Sequence, residues 1–133
     1  MNANMHIDFE VKNDLCILRL KGRFMTGSNA EFKNAKAELQ RTGCRRVIAD
    51  LREVPFLDST GIAFVVSLYT TLTNSGGHFV LASLNHRIRE VLKITTLDEI
   101  IPIFDDVDAA RAALADTKVA LRELGLNSDV ETS

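Results

Sequence analysis

The 133-residue chain has no tryptophan, one tyrosine, two prolines and two cysteines, and its 16 basic residues are offset by 18 acidic ones. Each scarcity excludes something. A net charge of -2 provides no electrostatic footprint for nucleic acid, and Arg45-Arg46 and the Arg87/Arg89 pair read as isolated, solvated basic spots. Two cysteines make no framework of staples. Cys16 lies inside an apolar strand pattern as a small core residue and Cys44 follows a helix stop, so neither is expected to be bridged and a reducing cytoplasm fits best. Met1 to His6 is polar and reads as no secretory signal. Ser59 to His86 is a stretch of 28 residues without Lys, Arg, Asp or Glu. Ser67, the threonines at 70, 71 and 73, and Ser75-Gly76-Gly77 interrupt it well short of the about 18 continuous apolar residues of a membrane span. No membrane insertion is expected.

Catalytic signatures are equally scarce. No Gly-x-Ser-x-Gly elbow surrounds any serine, and a triad would need a histidine borrowed arbitrarily. His6, His78 and His86 fall at element boundaries, none at metal-ligand spacing with another, and no cysteine pair supports zinc. Asp50 lies late in a strand pattern and reads as satisfying loop amides, not as an acid or base. Gly76-Gly77 precedes a strand and opens no helix, so it is a helix stop and not a phosphate loop. The reading is of a non-enzyme with no catalytic residue, metal or cofactor.

What is present is a regular alternation of elements. Ile7, Phe9 and Val11 alternate with polar residues, and Leu15 to Leu20 is nearly continuous apolar sequence; with Asn13-Asp14 between them they predict an antiparallel hairpin. Ser28-Asn-Ala-Glu31 matches a capping box ahead of a helix carrying Phe32, Ala35 and Leu39, which Gly43 stops. Val47 to Leu51 is a third strand, followed by a helix from about Ser59 to Asn74. His78 to Ser83 is the next strand, Asn85 caps a short helix on Ile88, Val91 and Leu92, and Ile100 to Phe104 is a last strand. A final helix begins near Asp105 or Asp106 and carries Val107, Ala110, Leu114 and Leu121. Strands joined through helices are parallel with right-handed crossovers. The fold class is therefore α/β: one domain over residues 1–124, a mixed sheet of about five strands with about four helices, and a polar tail over 125–133.

The informative junction is Asp58-Ser59-Thr60-Gly61, between the third strand and the second helix. These letters are common helix caps, and capping alone would account for them. A helix N-terminus also favours negative charge, so a hydroxyl there is a natural phosphate acceptor. The helix that follows carries a broad apolar arc of Ile62, Phe64, Val65, Val66, Leu68, Tyr69 and Leu72. Its opposite arc (Ala63, Ser67, Thr70, Thr71 and Asn74) is small and uncharged where a wet face normally carries charges. Either another element covers that arc, or it is a docking face that costs little to desolvate.

The hairpin ending in Leu20-Lys-Gly22, Val47-Ile-Ala-Asp-Leu51, Phe56-Leu-Asp-Ser-Thr-Gly61, and Gly76-Gly77 before Phe79-Val-Leu-Ala82 together resemble the STAS domain family (sulfate transporter and anti-sigma factor antagonist). The resemblance runs from about Ile7 to Leu121 and is strongest to the stand-alone bacterial anti-sigma factor antagonists. It implies binding to an anti-sigma factor with a histidine-kinase-like ATPase fold, which releases a sigma factor and can phosphorylate the antagonist. It also implies a serine phosphatase that reverses the modification. Carried over by position, Ser59 is the acceptor, Asp58 the motif aspartate, Thr60 a hydrogen-bonding neighbour and Gly61 a point of close backbone approach. Ala63, Ser67, Thr70 and Thr71 are the expected partner face. Met25 stands where many phosphorylated members carry an aspartate, and Arg23 is the nearby positive charge. A non-phosphorylated adaptor subunit of a transport complex is the alternative, and the uncharged face would equally serve a homodimer.

Overall fold

The computed structural model describes residues 6–12, 14–22 and 29–123, with backbone only at 29 and 116–123. Five strands form one sheet in the order β1-β2-β3-β4-β5. They are β1 (His6–Lys12), β2 (Leu15–Lys21), β3 (Arg46–Glu53), β4 (His78–Ala82) and β5 (Ile103–Phe104). β1 runs antiparallel to β2, with Phe9 opposite Leu18, while β2, β3, β4 and β5 are mutually parallel. The helices are α1 (Asn29–Thr42), α2 (Ser59–Asn74), α3 (His86–Ile94) and α4 (Val107–Glu123). The expected mixed α/β sheet is what forms. The boundaries at 124 and 125, the Ser28 capping position and the Leu121 side chain lie outside the described residues.

Burial explains the strand sequences. β2 and β3 are covered on both faces. Cys16, Leu18, Leu20, Val47, Ala49 and Leu51 pack under α1, α2 and α3. Leu15, Ile17 and Ile48 pack under Ala110 and Leu114 of α4. A strand buried on both sides must be apolar at consecutive positions. β1 lies at the edge, so Ile7 and Phe9 pack on the core while Asp8 and Glu10 point to water. The Phe32 and Phe64 rings stack at 4.2 Å and join α1 to α2. Each fully buried side chain of this size contributes roughly 1.5–3 kcal/mol.

The stop after α2 is built from both glycines. Gly77 N–H bonds Leu72 O at 2.7 Å and Gly76 N–H bonds Thr73 O at 3.1 Å, a Schellman motif with Gly76 in the left-handed region at φ +80°. Gly77 is needed for another reason: a Cβ there would stand 2.3 Å from Arg45 O.

Three expectations are corrected. Cys16 and Cys44 are joined by a disulfide, with Cα atoms 6.0 Å apart. The α1–β3 connection returns over the face of β2 that carries Cys16, a proximity that a separation of 28 residues hides. Arg46 is not a solvated spot. Its side chain is only 14% exposed, ion-paired with Asp14 and bonded through Nη1 to Leu114 O at 3.3 Å. The last strand covers Ile103–Phe104 only, because Leu97–Glu99 winds into a 3-10 turn and Ile101 is buried ahead of the pairing.

Candidate functional site

α2 begins where β3 leaves the sheet, so its N-terminus opens at the carboxyl end of the parallel strands. Asp58 is its N-cap: the backbone there is extended, and Oδ1 accepts from Gly61 N–H at 3.0 Å. Ile62 N–H bonds Asp58 O at 2.9 Å and starts the helical ladder. The cap is thus filled by the aspartate and not by the serine. Ser59, the first helical residue, is exposed, and its hydroxyl makes no hydrogen bond among the described residues. Thr60 is half-buried and Gly61 buried. Capping therefore explains Asp58 and leaves Ser59 unexplained.

The loop ahead of the helix is held from the neighbouring crossover. Asn85, read from the sequence only as the cap of α3, does two things at once. Its Oδ1 accepts from Ile88 N–H at 2.9 Å. Its Nδ2 donates to Pro55 O at 2.9 Å and to Val54 O at 3.3 Å. One side chain fixes both the start of α3 and the segment that delivers Asp58 and Ser59. The Arg87 guanidinium lies 5.4 Å from the centre of the Phe56 ring in the same segment.

Below Ser59 the face of α2 divides into two parts. Ser59, Ala63, Val66, Thr70 and Thr73, at helical spacing, are exposed. Val66, expected in the apolar arc, is 36% exposed and belongs to this stripe. Ser67 and Thr71, expected on the open face, are half-covered because α1 lies beside them. Ser67 Oγ accepts from Lys36 Nζ at 2.6 Å. The open stripe is still uncharged, and α2 has no acidic residue in its first turn and no basic residue in its last.

A cleft of about 520 Å³ runs along the α1–α2 seam, lined by Ser59, Thr60, Ala63, Ser67, Lys33 and Lys36, with the stacked phenylalanines between them. The lysines were missed in the sequence. Their spacing on α1 relative to Phe32, which must face the core, was the signal that places them on the α2 side. Arg23 and Met25 lie outside the described residues. Asp50 satisfies an amide of its own strand and not of a loop: Oδ1 accepts from Arg52 N–H at 3.0 Å, and Oδ2 stands 3.7 Å from Arg19 Nε. Among the described residues no cluster of His, Cys, Asp or Glu could hold a metal, and no helix is long and apolar enough to cross a membrane.

The sequence carrying this arrangement matches a known family, the STAS domain, over residues 6–110. The chain belongs to the STAS domain family. It is 25% identical over 104 residues to the anti-sigma F factor antagonist of Paenibacillus polymyxa, covering 77% of this chain and 89% of that one. The crystal structure of an anti-sigma factor antagonist from Mycobacterium paratuberculosis superposes with a TM-score of 0.75 at 19% identity, over 85% of this chain and 96% of that one. The Bacillus cell fate determinant SpoIIAA in its phosphorylated form superposes with a TM-score of 0.64 at 17% identity, over 81% and 99% of the two chains. The two structural likenesses establish the fold.

Proposed function

We propose that this STAS protein is an anti-sigma factor antagonist, not itself an enzyme, acting through reversible binding gated by phosphorylation of Ser59. The observation that carries the reading is the division of labour at the junction. Asp58 satisfies the helix end, and this leaves Ser59 an exposed hydroxyl with no structural task at the head of an uncharged stripe. Ser59, Ala63, Val66 and Thr70 offer small, cheaply desolvated contacts to an anti-sigma factor with a histidine-kinase-like ATPase fold.

In the phosphorylating direction, that partner supplies ATP and the base. Ser59 Oγ loses its proton, a bond forms from Oγ to the γ-phosphorus, and the bond from that phosphorus to the β–γ bridging oxygen breaks, leaving ADP. The product carries roughly -1.5 to -2 charges at the rim of the docking stripe, which a close-packed partner cannot bury. The N–H groups of the first turn and the field of the helix end tolerate that charge. Lys33 and Lys36 supply positive charge across the cleft. A serine phosphatase restores the binding form by hydrolysis of the phosphate ester.

A pull-down with the wild-type protein, followed by mass spectrometry of both partners and bait, tests the reading. A kinase-like anti-sigma factor together with phosphate on Ser59 supports it. Transporter subunits with unmodified Ser59 would make the protein a fixed adaptor and return the junction to simple capping.

A further inference from the structure

The cleft beside Ser59 continues past Lys36 into a second cleft of about 280 Å³, lined by Leu39, Gln40, Leu68, Thr71, Leu72 and Ser75. Together they make one groove along the α1–α2 seam. The two helices run side by side in the same direction: Phe32 stacks on Phe64, Lys36 bonds Ser67, and Gly43 and Ser75 line the far end. At 1.5 Å per residue, the 16 residues of α2 give the groove a length of about 24 Å. Phe32, Leu39, Phe64 and Leu72 are buried as its floor.

α1 sorts its charges between two sides. Glu31, Asn34 and Glu38 line the side next to β1, where Glu38 pairs with Arg41. Lys33 and Lys36 line the side next to α2. Among the described residues that line the groove there is no Asp or Glu. Lys33 makes no ion pair among the described residues, and Lys36 has only the neutral Ser67 hydroxyl, at 2.6 Å. Arg45, at the far end, donates to Ser75 O at 3.4 Å. In a chain of 18 acidic and 16 basic residues, a groove of this length with lysines and no carboxylate is a local excess of one sign. A complementary surface carries the opposite sign.

We propose that this groove docks an acidic amphipathic helix of the partner protein, with its apolar edge against Ala63 and the floor and its carboxylates on Lys33 and Lys36. A helix laid in a groove is read by anchors one turn apart, and Lys33 and Lys36 at i and i+3 are matched by acids three or four residues apart. The inference deepens the reading of Ser59 and rests on the stripe below it being a partner face. It adds the charge of the partner. Ser59 lines the same cleft as Lys33, so a phosphate there repels the incoming carboxylates as well as blocking close contact.

The full chain is used as bait in lysate with and without nuclease, and the retained protein is then titrated by calorimetry. Lys33→Glu/Lys36→Glu should weaken binding at least about tenfold, and Lys33→Gln/Lys36→Gln should weaken it less and flatten its salt dependence. Asn34→Glu adds the same charge on the β1 side of α1 and should leave the affinity unchanged. Thermal melts matching the wild type show that the variants fold. A photo-crosslinking residue at position 40 should attach to a segment of the retained protein rich in Asp and Glu. Unchanged affinity in both lysine variants, equal weakening by Asn34→Glu, or a crosslink to a neutral or basic segment would overturn the groove and leave the Ser59 switch standing. Retention that nuclease abolishes would overturn it in favour of nucleic acid. Lysine-dependent binding that Ser59→Asp does not weaken would support the groove and contradict the switch. Retention of no protein would overturn both.

Discussion

Asn85 Nδ2 donates to Pro55 O at 2.9 Å across two crossovers, so the residue that starts α3 also restrains the loop leading to α2. The two roles separate chemically. Aspartate at this position still accepts from Ile88 N–H but has no donor for the carbonyls of Val54 and Pro55. Asn85→Asp should therefore keep α3 capped while shifting the amide resonances of Phe56 to Thr60. Asn85→Ala should lose both and cost about 1–2 kcal/mol. Unchanged loop resonances in Asn85→Asp would show that the clamp does not hold the loop.

Adjacent glycines at the end of α2 should respond differently to alanine. Gly76→Ala meets only the left-handed backbone and should cost about 1–2 kcal/mol. Gly77→Ala drives a methyl group into Arg45 O, the acceptor of His78 N–H, and should cost more than about 2 kcal/mol. Urea unfolding of the two variants checks the order.

The Cys16–Cys44 bridge closes a loop of 28 residues, which in the chain-entropy account corresponds to about 3.5 kcal/mol. Cys16→Ala/Cys44→Ala should lose roughly that much stability. The wild-type protein should lose a similar amount only once it has been unfolded in the presence of a dithiol, because both sulfurs are buried in the folded chain. Unfolding curves with and without reductant read the difference.

Glu10 gives the pH dependence a definite sign. Its carboxyl is held below the ordinary value of 4.5 by Arg19, so the pair stabilises the fold above that pH and is lost as the pH falls through and below it. Both side chains are substantially exposed, at 45% and 39%, which limits the effect to less than about 1 kcal/mol. Glu10→Gln should accordingly lose less stability than the wild type between neutral pH and about pH 3, measured by urea unfolding.

The element order was legible because each element carries its own local signal. β2 and β3 are apolar at consecutive positions because both faces are covered, β1 alternates because it is an edge, and Asn85 and Gly76 mark helix ends. The misreadings concern contacts between segments distant in the chain. Cys16 and Cys44 meet because the α1–β3 connection crosses back over β2, and Arg46 is buried because α4 closes over the start of β3. Neither relation leaves a local pattern. At the site, the junction and its uncharged stripe followed from composition and helical spacing. The assignment of the cap to Asp58, the clamp from Asn85 and the lysines of α1 depend on how the crossovers pack. Ser67 and Thr71 were placed on the open face by the same wheel that placed Ala63 correctly, and only the position of α1 separates them.

The affinity of Ser59→Ala and Ser59→Asp for the captured kinase-like anti-sigma factor, measured by calorimetry against the wild type, tests the central claim most directly. The account predicts wild-type affinity for Ser59→Ala and binding at least about tenfold weaker for Ser59→Asp, a difference of about 1.4 kcal/mol. Equal affinities for the two variants would contradict a switch at Ser59.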